Sequence, residues 1–485
     1  MNERDLYNAI TDLPDDKIER AYAAKPKPRF AAWQRWAAVA AAAAVVAGAV
    51  WLWNPFDRPQ ATPPAADPAP SAPLTTQKPD KTVISYQPLN QPLVAVKLPS
   101  SYPREDMYAA RMALQKKYPV SDAFAAAVDG FAAKTTAELL ADRHGNAGFS
   151  PLSLYYALAV TAIGAEGKAA DELYALLGVP DKDTLSTQCH HLFRQLYVDN
   201  DLGRLQLCNS LWIDHTLPVK ADFADNAARR FYAEVLHTDF QDAKTADFLG
   251  QWVSDHTDGL LKPAYKTQPN QYMALINTVY FKDVWVGDFD PSANTTESFT
   301  RADGGTVSAV YMNAKNFDRY DITDRYLRAE KRLGNDSTMV FVLPEEGSSP
   351  QELLASPQAV TELFADRWQS DAEVIWKLPK FDVATKWDDL VSPLRSLGVN
   401  TAFEPDGGLS GISDGLYVDA IEQDVRVRID ERGVEAAAAT EIRVCGDAMD
   451  PRQIEMTLDR PFLYGILSPG GQLLFVGVVE DPTVK

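Results

Sequence analysis

An uncharged run of eighteen residues, Trp36 to Trp53, sets the first limit on how this 485-residue chain can be organised. Ala, Val and Gly dominate it, with Trp33 and Trp36 at one end and Trp51 and Trp53 at the other. At 1.5 Å per residue, about twenty residues cross a hydrocarbon core, and tryptophans at both ends are the usual interfacial anchors. Lys25, Lys27, Arg29 and Arg35 precede the run closely, whereas only Arg58 follows it closely. The positive-inside rule then puts the N-terminus in the cytoplasm and everything after Trp53 outside. Residues 33–53 are therefore expected to be a transmembrane helix. Residues 1–32 are expected to be a short cytoplasmic segment, polar and mixed in charge up to residue 24, with room for one short amphipathic helix. Two other readings compete. A cleaved signal peptide would have a shorter lead and a shorter apolar run. A soluble Ala-rich helix is the other, because Ala inserts only marginally.

Residues 54–103 are rich in Pro, Ala, Thr and Ser, with Pro59, Pro63, Pro64, Pro68, Pro70 and Pro73 recurring. Such a stretch cannot bury a core and takes an extended, semi-rigid form, so it reads as a spacer between bilayer and domain. That leaves 104–485 as the globular part. The chain as a whole is 46% hydrophobic and 10% aromatic, ample for one large core.

The net charge of -20 argues against nucleic acid as a partner, since phosphates repel an acidic surface. Solubility is the plain reason for such a charge. The cysteines, Cys189, Cys208 and Cys445, are odd in number and far apart, which supports neither a disulfide framework nor a thiolate metal site. His190 and His191 are adjacent, and neighbouring side chains on a helix diverge by about 100°, so they chelate one ion poorly. No metal and no cofactor are expected.

Apolar spacing in 121–142, with Phe124, Val128, Phe131, Leu139 and Leu140, predicts a helix. Gly178 and Pro180 stop another containing Leu173, Leu176 and Leu177. Strand-like stretches come later, at 272–281, 337–343, 374–378 and 473–479. Helices first and strands later predict an α+β domain with a large mixed sheet. Enzyme signatures are missing: the chain has no GxSxG, HExxH, GxGxxG or GxxxxGK[ST]. Ser410, in Gly408-Leu-Ser-Gly411, lacks the nucleophile-elbow spacing.

The segment that carries chemistry is Asp430-Glu-Arg-Gly-Val-Glu-Ala-Ala-Ala-Ala-Thr440. Read as a strand, Val434, Ala436, Ala438, Thr440, Ile442 and Val444 share one small-to-apolar face. Glu435, Ala437, Ala439, Glu441, Arg443 and Cys445 share the other, which holds the charges. Its first residues are small and weakly strand-forming, which suits a segment not locked into a sheet at the start.

This segment resembles the hinge of an inhibitory serpin, comprising here Glu431, Gly433, Val434, Glu435, Ala436, Ala437, Ala438, Ala439 and Thr440. Further similar stretches follow in order: Asn146 to Leu154 (NAGFSPLSL), Asn277 to Trp285 (NTVYFKDVW), Met339 to Pro344 (MVFVLP), Leu378 to Phe381 (LPKF), Arg460 to Leu463 (RPFL) and Leu474 to Gly477 (LFVG). The resemblance implies the serpin fold: N-terminal helices, a large mixed sheet, further sheets and an exposed reactive-centre loop. It also implies a monomeric, non-enzymatic suicide substrate, here a membrane-anchored member of bacterial type. A serine or cysteine protease attacks the loop, which then inserts into the main sheet as a new strand. Usual serpin loop spacing from Gly433 puts the bait bond at Asp447–Ala448, give or take about two residues, fourteen residues or roughly 46 Å of strand away; the competing reading makes Asp447 a solvated loop residue and puts the bond at Ala448 or Met449. An Asp before the bond implies a protease specific for Asp or Glu, of caspase-like or granzyme-like preference. The alternative implied is a non-inhibitory serpin acting as a binding or structural module.

The sheet-opening region implied by the resemblance includes Ser150, Ser153 and Trp285. Four departures stand out. Val434 replaces the usual Thr or Ser, Arg432 replaces an acidic or polar residue, and Gly250 and Gln423 stand where many serpins have Asn and His.

Overall fold

A computed structural model of the protein describes residues 104–434 and 452–484, apart from the single positions 269, 270, 288, 367, 369 and 406. The chain divides into a unit spanning 1–74, outside the described residues, and a unit spanning 75–485. No helix among the described residues is long and apolar enough to cross a membrane, and the 33–53 segment and its 54–103 spacer lie outside them.

The chain opens with α1 (Arg104–Lys117) and α2 (Asp122–Leu140), the helix predicted over 121–142. Ser121 caps α2 by accepting a hydrogen bond from the Phe124 N–H, and the predicted apolar residues Phe124, Val128, Phe131, Leu139 and Leu140 are buried. Strand β1 (Ala147–Phe149) leads into α3 (Pro151–Ala162), whose N-cap is Ser150 with Pro151 at the first helical position. Helix α4 (Gly167–Leu177) ends where Gly178 turns left-handed at φ 71°, as its sequence predicts. Next come α5 (Lys182–Leu196), β2 (Val198–Asp199), β3 (Arg204–Asp214), α6 (Ala221–Arg230), β4 (Ala233–Thr238), α7 (Lys244–His256) and β5 (Met273–Val284).

The second half is mostly strand: β6 (Thr295–Thr300), β7 (Thr306–Ile322), β8 (Tyr326–Arg332), β9 (Thr338–Pro344), β10 (Ser370–Pro379), β11 (Phe381–Trp387), β12 (Gln423–Asp430), β13 (Gly433–Val434), β14 (Gln453–Thr457), β15 (Phe462–Leu467) and β16 (Leu473–Val479). The short helices α8 (Pro350–Leu353), α9 (Pro357–Phe364) and α10 (Val391–Ser396) interrupt it. The four predicted strand stretches fall in β5, β9, β10 and β16, the last with the predicted bounds.

These strands build two sheets. One runs β1-β16-β15-β9-β8-β7-β10-β14, with β6 also on β7; the other runs β11-β12-β13-β5-β3-β2, with β4 also on β3. The domain is α+β with large mixed sheets, as expected. Helix-first order holds only loosely, because β1 to β4 interleave with the early helices; β1 pairs with β16 and β3 with β5, while β2 and β4 join the sheet through β3. Both sheets close over α3, from which Ser150 Oγ donates to Leu474 O on β16 (2.7 Å) and Ser150 N to Gln423 Oε1 on β12 (3.0 Å). Helix α7 covers the other face of the second sheet, where Leu249, Trp252 and Val253 pack with Trp212, Leu236 and Ile276.

Candidate functional site

Strand β12 alternates strictly: Gln423, Val425, Val427 and Ile429 are buried, while Asp424, Arg426, Arg428 and Asp430 turn to the other face. After Asp430 the chain reverses tightly, with Asp430 Oδ1 accepting from the Arg432 N–H at 2.9 Å. It then re-enters the sheet as β13. Gly433 lies opposite Asp430 on one side and Val284 on the other, and Val434 lies opposite Ile429 and Asp283. Both pairings are antiparallel, so β12 and β5 run parallel to each other with β13 between them.

The packing explains the residue types. A Cβ on Gly433 would stand 2.0 Å from the Asp283 carbonyl oxygen, so only glycine fits where the two backbones meet. Trp285 is fully buried beneath the turn and holds it by two bonds, from its N–H to Arg432 O (3.0 Å) and from Nε1 to Asp430 O (2.8 Å). Glu431 forms an ion pair with Lys380 and accepts from Asn294 Nδ2 at 2.5 Å. Partial burial opposes its ionisation, but hydrogen bonds from Lys380 and Asn294 prevail and hold its carboxyl below the usual carboxylate range. Burial pushes the Asp283 carboxyl, opposite Val434, up to about 7 even though it accepts hydrogen bonds from Asn335 and the Val284 N–H.

Further along the sheet a chain of buried hydrogen bonds links four strands through the first turn of α3. Gln423 makes two bonds with the Ser150 backbone, accepting from its N–H and donating to its carbonyl, each at 3.0 Å. Ser150 Oγ accepts from the Ser153 N–H (3.3 Å) while donating to Leu474 O. The Ser153 hydroxyl donates to Asn277 Oδ1, Asn277 Nδ2 donates to Asn209 Oδ1, and Asn209 Nδ2 donates to Phe231 O at 2.9 Å. The network thus ties β12, β5, β3 and β16 together from below.

Between hinge and network the edge of β5 that faces β12 has no described strand partner. Beyond Val434, the positions from Lys282 down to Met273 on β5, and from Arg428 down to Gln423 on β12, share no ladder with one another among the described residues. Phe281, Val279, Val427 and Val425 line that gap on the α3 side and are buried in the main core.

Residues 126–482 match the family model described as serpin, serine protease inhibitor. The chain belongs to the serpin family. Serpin-Z2A of Triticum aestivum is 30% identical over 362 residues, spanning 70% of this chain and 90% of the relative. Among solved structures, the thermophilic serpin tengpin in its native state superposes with a TM-score of 0.68 at 24% identity, covering 75% of this chain and 95% of tengpin. Thyroxine-binding globulin in complex with thyroxine gives 0.63 at 25% identity, covering 73% and 98%. Serpins are in general protease inhibitors rather than enzymes.

The serpin structure brings some of the sequence-predicted residues together and separates others. Ser150 and Ser153 do lie under the sheet. Trp285 does not join them; it sits at the opposite end of β5, under the hinge turn. Gln423 faces Ser150 as expected, but the expectation for Gly250 is corrected. Gly250 lies on α7, on the far side of the sheet, and a Cβ there would stand 2.6 Å from Pro263 O. Its supposed place in the buried network belongs to Asn277, and the helix cannot contribute because the sheet lies between it and α3. The signal was available, since Asn277 opens the NTVYFKDVW stretch. Asn209, its partner, was missed because nothing in its local sequence marks it.

Of the hinge residues, Glu431, Gly433 and Val434 are placed as above. Glu435, Ala436, Ala437, Ala438, Ala439 and Thr440, and the bait residues Asp447 and Ala448, lie outside the described residues. His190 and His191 do not converge on one point: His190 stacks on Tyr232, and His191 Nδ1 lies 2.7 Å from Pro119 O. Burial pushes the Cys208 thiol up to about 12.

Proposed function

We propose that this serpin is a suicide-substrate protease inhibitor that traps its target by inserting its cleaved loop between β12 and β5. The observation that carries the proposal is β13: the loop's first two residues already pair with both flanking strands, and the strand edges beyond them share no ladder. Continued one residue at a time, that register sets Glu435 opposite Lys282 and Arg428, Ala436 opposite Phe281 and Val427, and Ala438 opposite Val279 and Val425. Thr440 then arrives opposite Asn277 and Gln423, at the buried network. Even-numbered residues face the apolar core on the α3 side, where small uncharged side chains are needed because an unpaired charge is costly to bury. Odd-numbered residues, Glu435 among them, face the other way.

The target is a serine or cysteine protease that accepts an acidic residue, with the bait bond at Asp447–Ala448. The domain is carried outside the cell on residues 104–485, linked through the 54–103 spacer to a membrane helix at 33–53. Mixing the full chain in detergent with a protease specific for Asp should give a covalent complex that survives boiling in denaturant, and should release a C-terminal peptide beginning at Ala448. Clipping at that bond without complex, and without a rise in melting temperature, would leave a binding or structural module instead. A released peptide beginning elsewhere would overturn the bait assignment. Protease added to intact cells should free the domain by cutting within 54–103; protection until lysis would reverse the assigned orientation.

A further inference from the structure

At the end of the second sheet away from the hinge, parallel pairing of β3 with β4 gathers side chains that are distant in sequence. Ile213 lies opposite His237 and Asp214 opposite Thr238, and the His215 N–H donates to Thr238 O at 2.8 Å. The chain then continues from β4 through Asp239 toward α7. One ligand atom from each of Asp214, His215 and Asp239 lies within 4.8 Å of the other two. His215 Nδ1 is 3.8 Å from Asp214 Oδ1.

His215 is the telling residue. Both its ring nitrogens are buried, and neither has a hydrogen-bond partner among the described residues. A neutral imidazole carries one donor and one acceptor, and burying both unmet is unfavourable unless something else binds there. The carboxylates around it are held in place yet keep free lone pairs. Asp214 Oδ1 accepts from Thr216 N (2.9 Å) and Thr216 Oγ1 (2.5 Å), while among the described residues Oδ2 accepts only from the Phe240 N–H, at 3.4 Å. Asp239 Oδ1 accepts from Gln241 N at 2.9 Å. The two carboxylates are thus oriented by hydrogen bonds from outside the cluster, as metal-ligating carboxylates are.

We infer that Asp214, His215 and Asp239 form a binding site for a divalent transition-metal ion, zinc the best fit. One imidazole and two carboxylates suit zinc, whereas Ca2+ and Mg2+ prefer oxygen ligands alone. Tetrahedral zinc about 2.0–2.1 Å from each ligand needs ligand atoms about 3.3 Å apart, so binding would draw the three side chains together from their present spacing of up to 4.8 Å. Three protein ligands leave a fourth position for water. The bound ion would tie the ends of β3 and β4 to the segment leading into α7, the helix that covers the sheet.

The untagged full chain in detergent, stripped with chelator, should bind one Zn2+ in calorimetric titration and develop the visible absorption of four-coordinate Co2+. Zn2+ should also raise its melting temperature. His215→Leu and Asp239→Asn should each weaken binding about tenfold or more and abolish the Co2+ absorption. A His190→Ala, His191→Ala double variant should bind as the wild type does. If His215→Leu fails to fold, Asp239→Asn decides alone. No stoichiometric binding, wild-type affinity in the site variants, or binding of Mg2+ or Ca2+ as tight as that of Zn2+ would overturn the assignment.

Discussion

Two neighbouring substitutions in the loop, Ala438→Arg and Ala439→Arg, should have opposite consequences. In the inserted register residue 438 lies between Val279 and Val425, whose exposures are 8% and 3%, inside the main apolar core. No carboxylate flanks it there. An uncompensated buried charge costs about 3–5 kcal/mol. Since about 1.4 kcal/mol is a tenfold change in rate, insertion should slow by roughly two to four orders of magnitude if that cost is felt at the rate-limiting step. Hydrolysis of the acyl intermediate would then win, and Ala438→Arg should be a substrate. Residue 439 faces the opposite side, opposite Thr278 and Asp424, and Asp424 Oδ2 is buried with no hydrogen-bond partner among the described residues. An arginine there meets a carboxylate, so most inhibition should survive. The assay is the ratio of covalent complex to cleaved product on denaturing gels, with the same protease and the same loop bond. Equal inhibition by both variants would refute the inserted register, and so would loss of inhibition in Ala439→Arg alone.

Gln423→Ala should destabilise the domain by about 2–5 kcal/mol in urea unfolding, because both bonds to the Ser150 backbone go unmet at a position only 5% exposed; a loss under about 0.5 kcal/mol would show the network to be dispensable. For Asp283 the sign follows from a folded-state pKa near 7, above the usual value of 3.8. The native state holds this proton more tightly than the unfolded chain does, so its contribution to stability is complete below about 4 and is lost as pH rises through 7. The full effect is on the order of 4 kcal/mol. Asp283→Asn should therefore flatten the fall in stability between about pH 4 and pH 7, and an unchanged slope would assign that fall to other groups.

Local pattern carried much of this protein. The helix over 122–140, the glycine stop at 178, the strand at 473–479 and the alternation that puts Val434 on the buried face are all legible, because period and capping act over a few residues. Gly433 stood out in the sequence, but the physical reason for a glycine there did not: the Asp283 carbonyl that excludes a Cβ lies 150 residues earlier in the chain. The buried network and the Asp214–His215–Asp239 cluster were illegible for the same cause. Asn209 and Asn277 meet because β3 pairs with β5, and His215 meets Asp239 because β3 pairs with β4. Strand pairing over such distances is chosen by the global packing of two sheets on α3, and no short-range signal encodes it. Sequence determined which residues are small, apolar or capping. Tertiary structure alone decided which of them stand face to face, and hence which strand edges beyond Val434 share no ladder among the described residues.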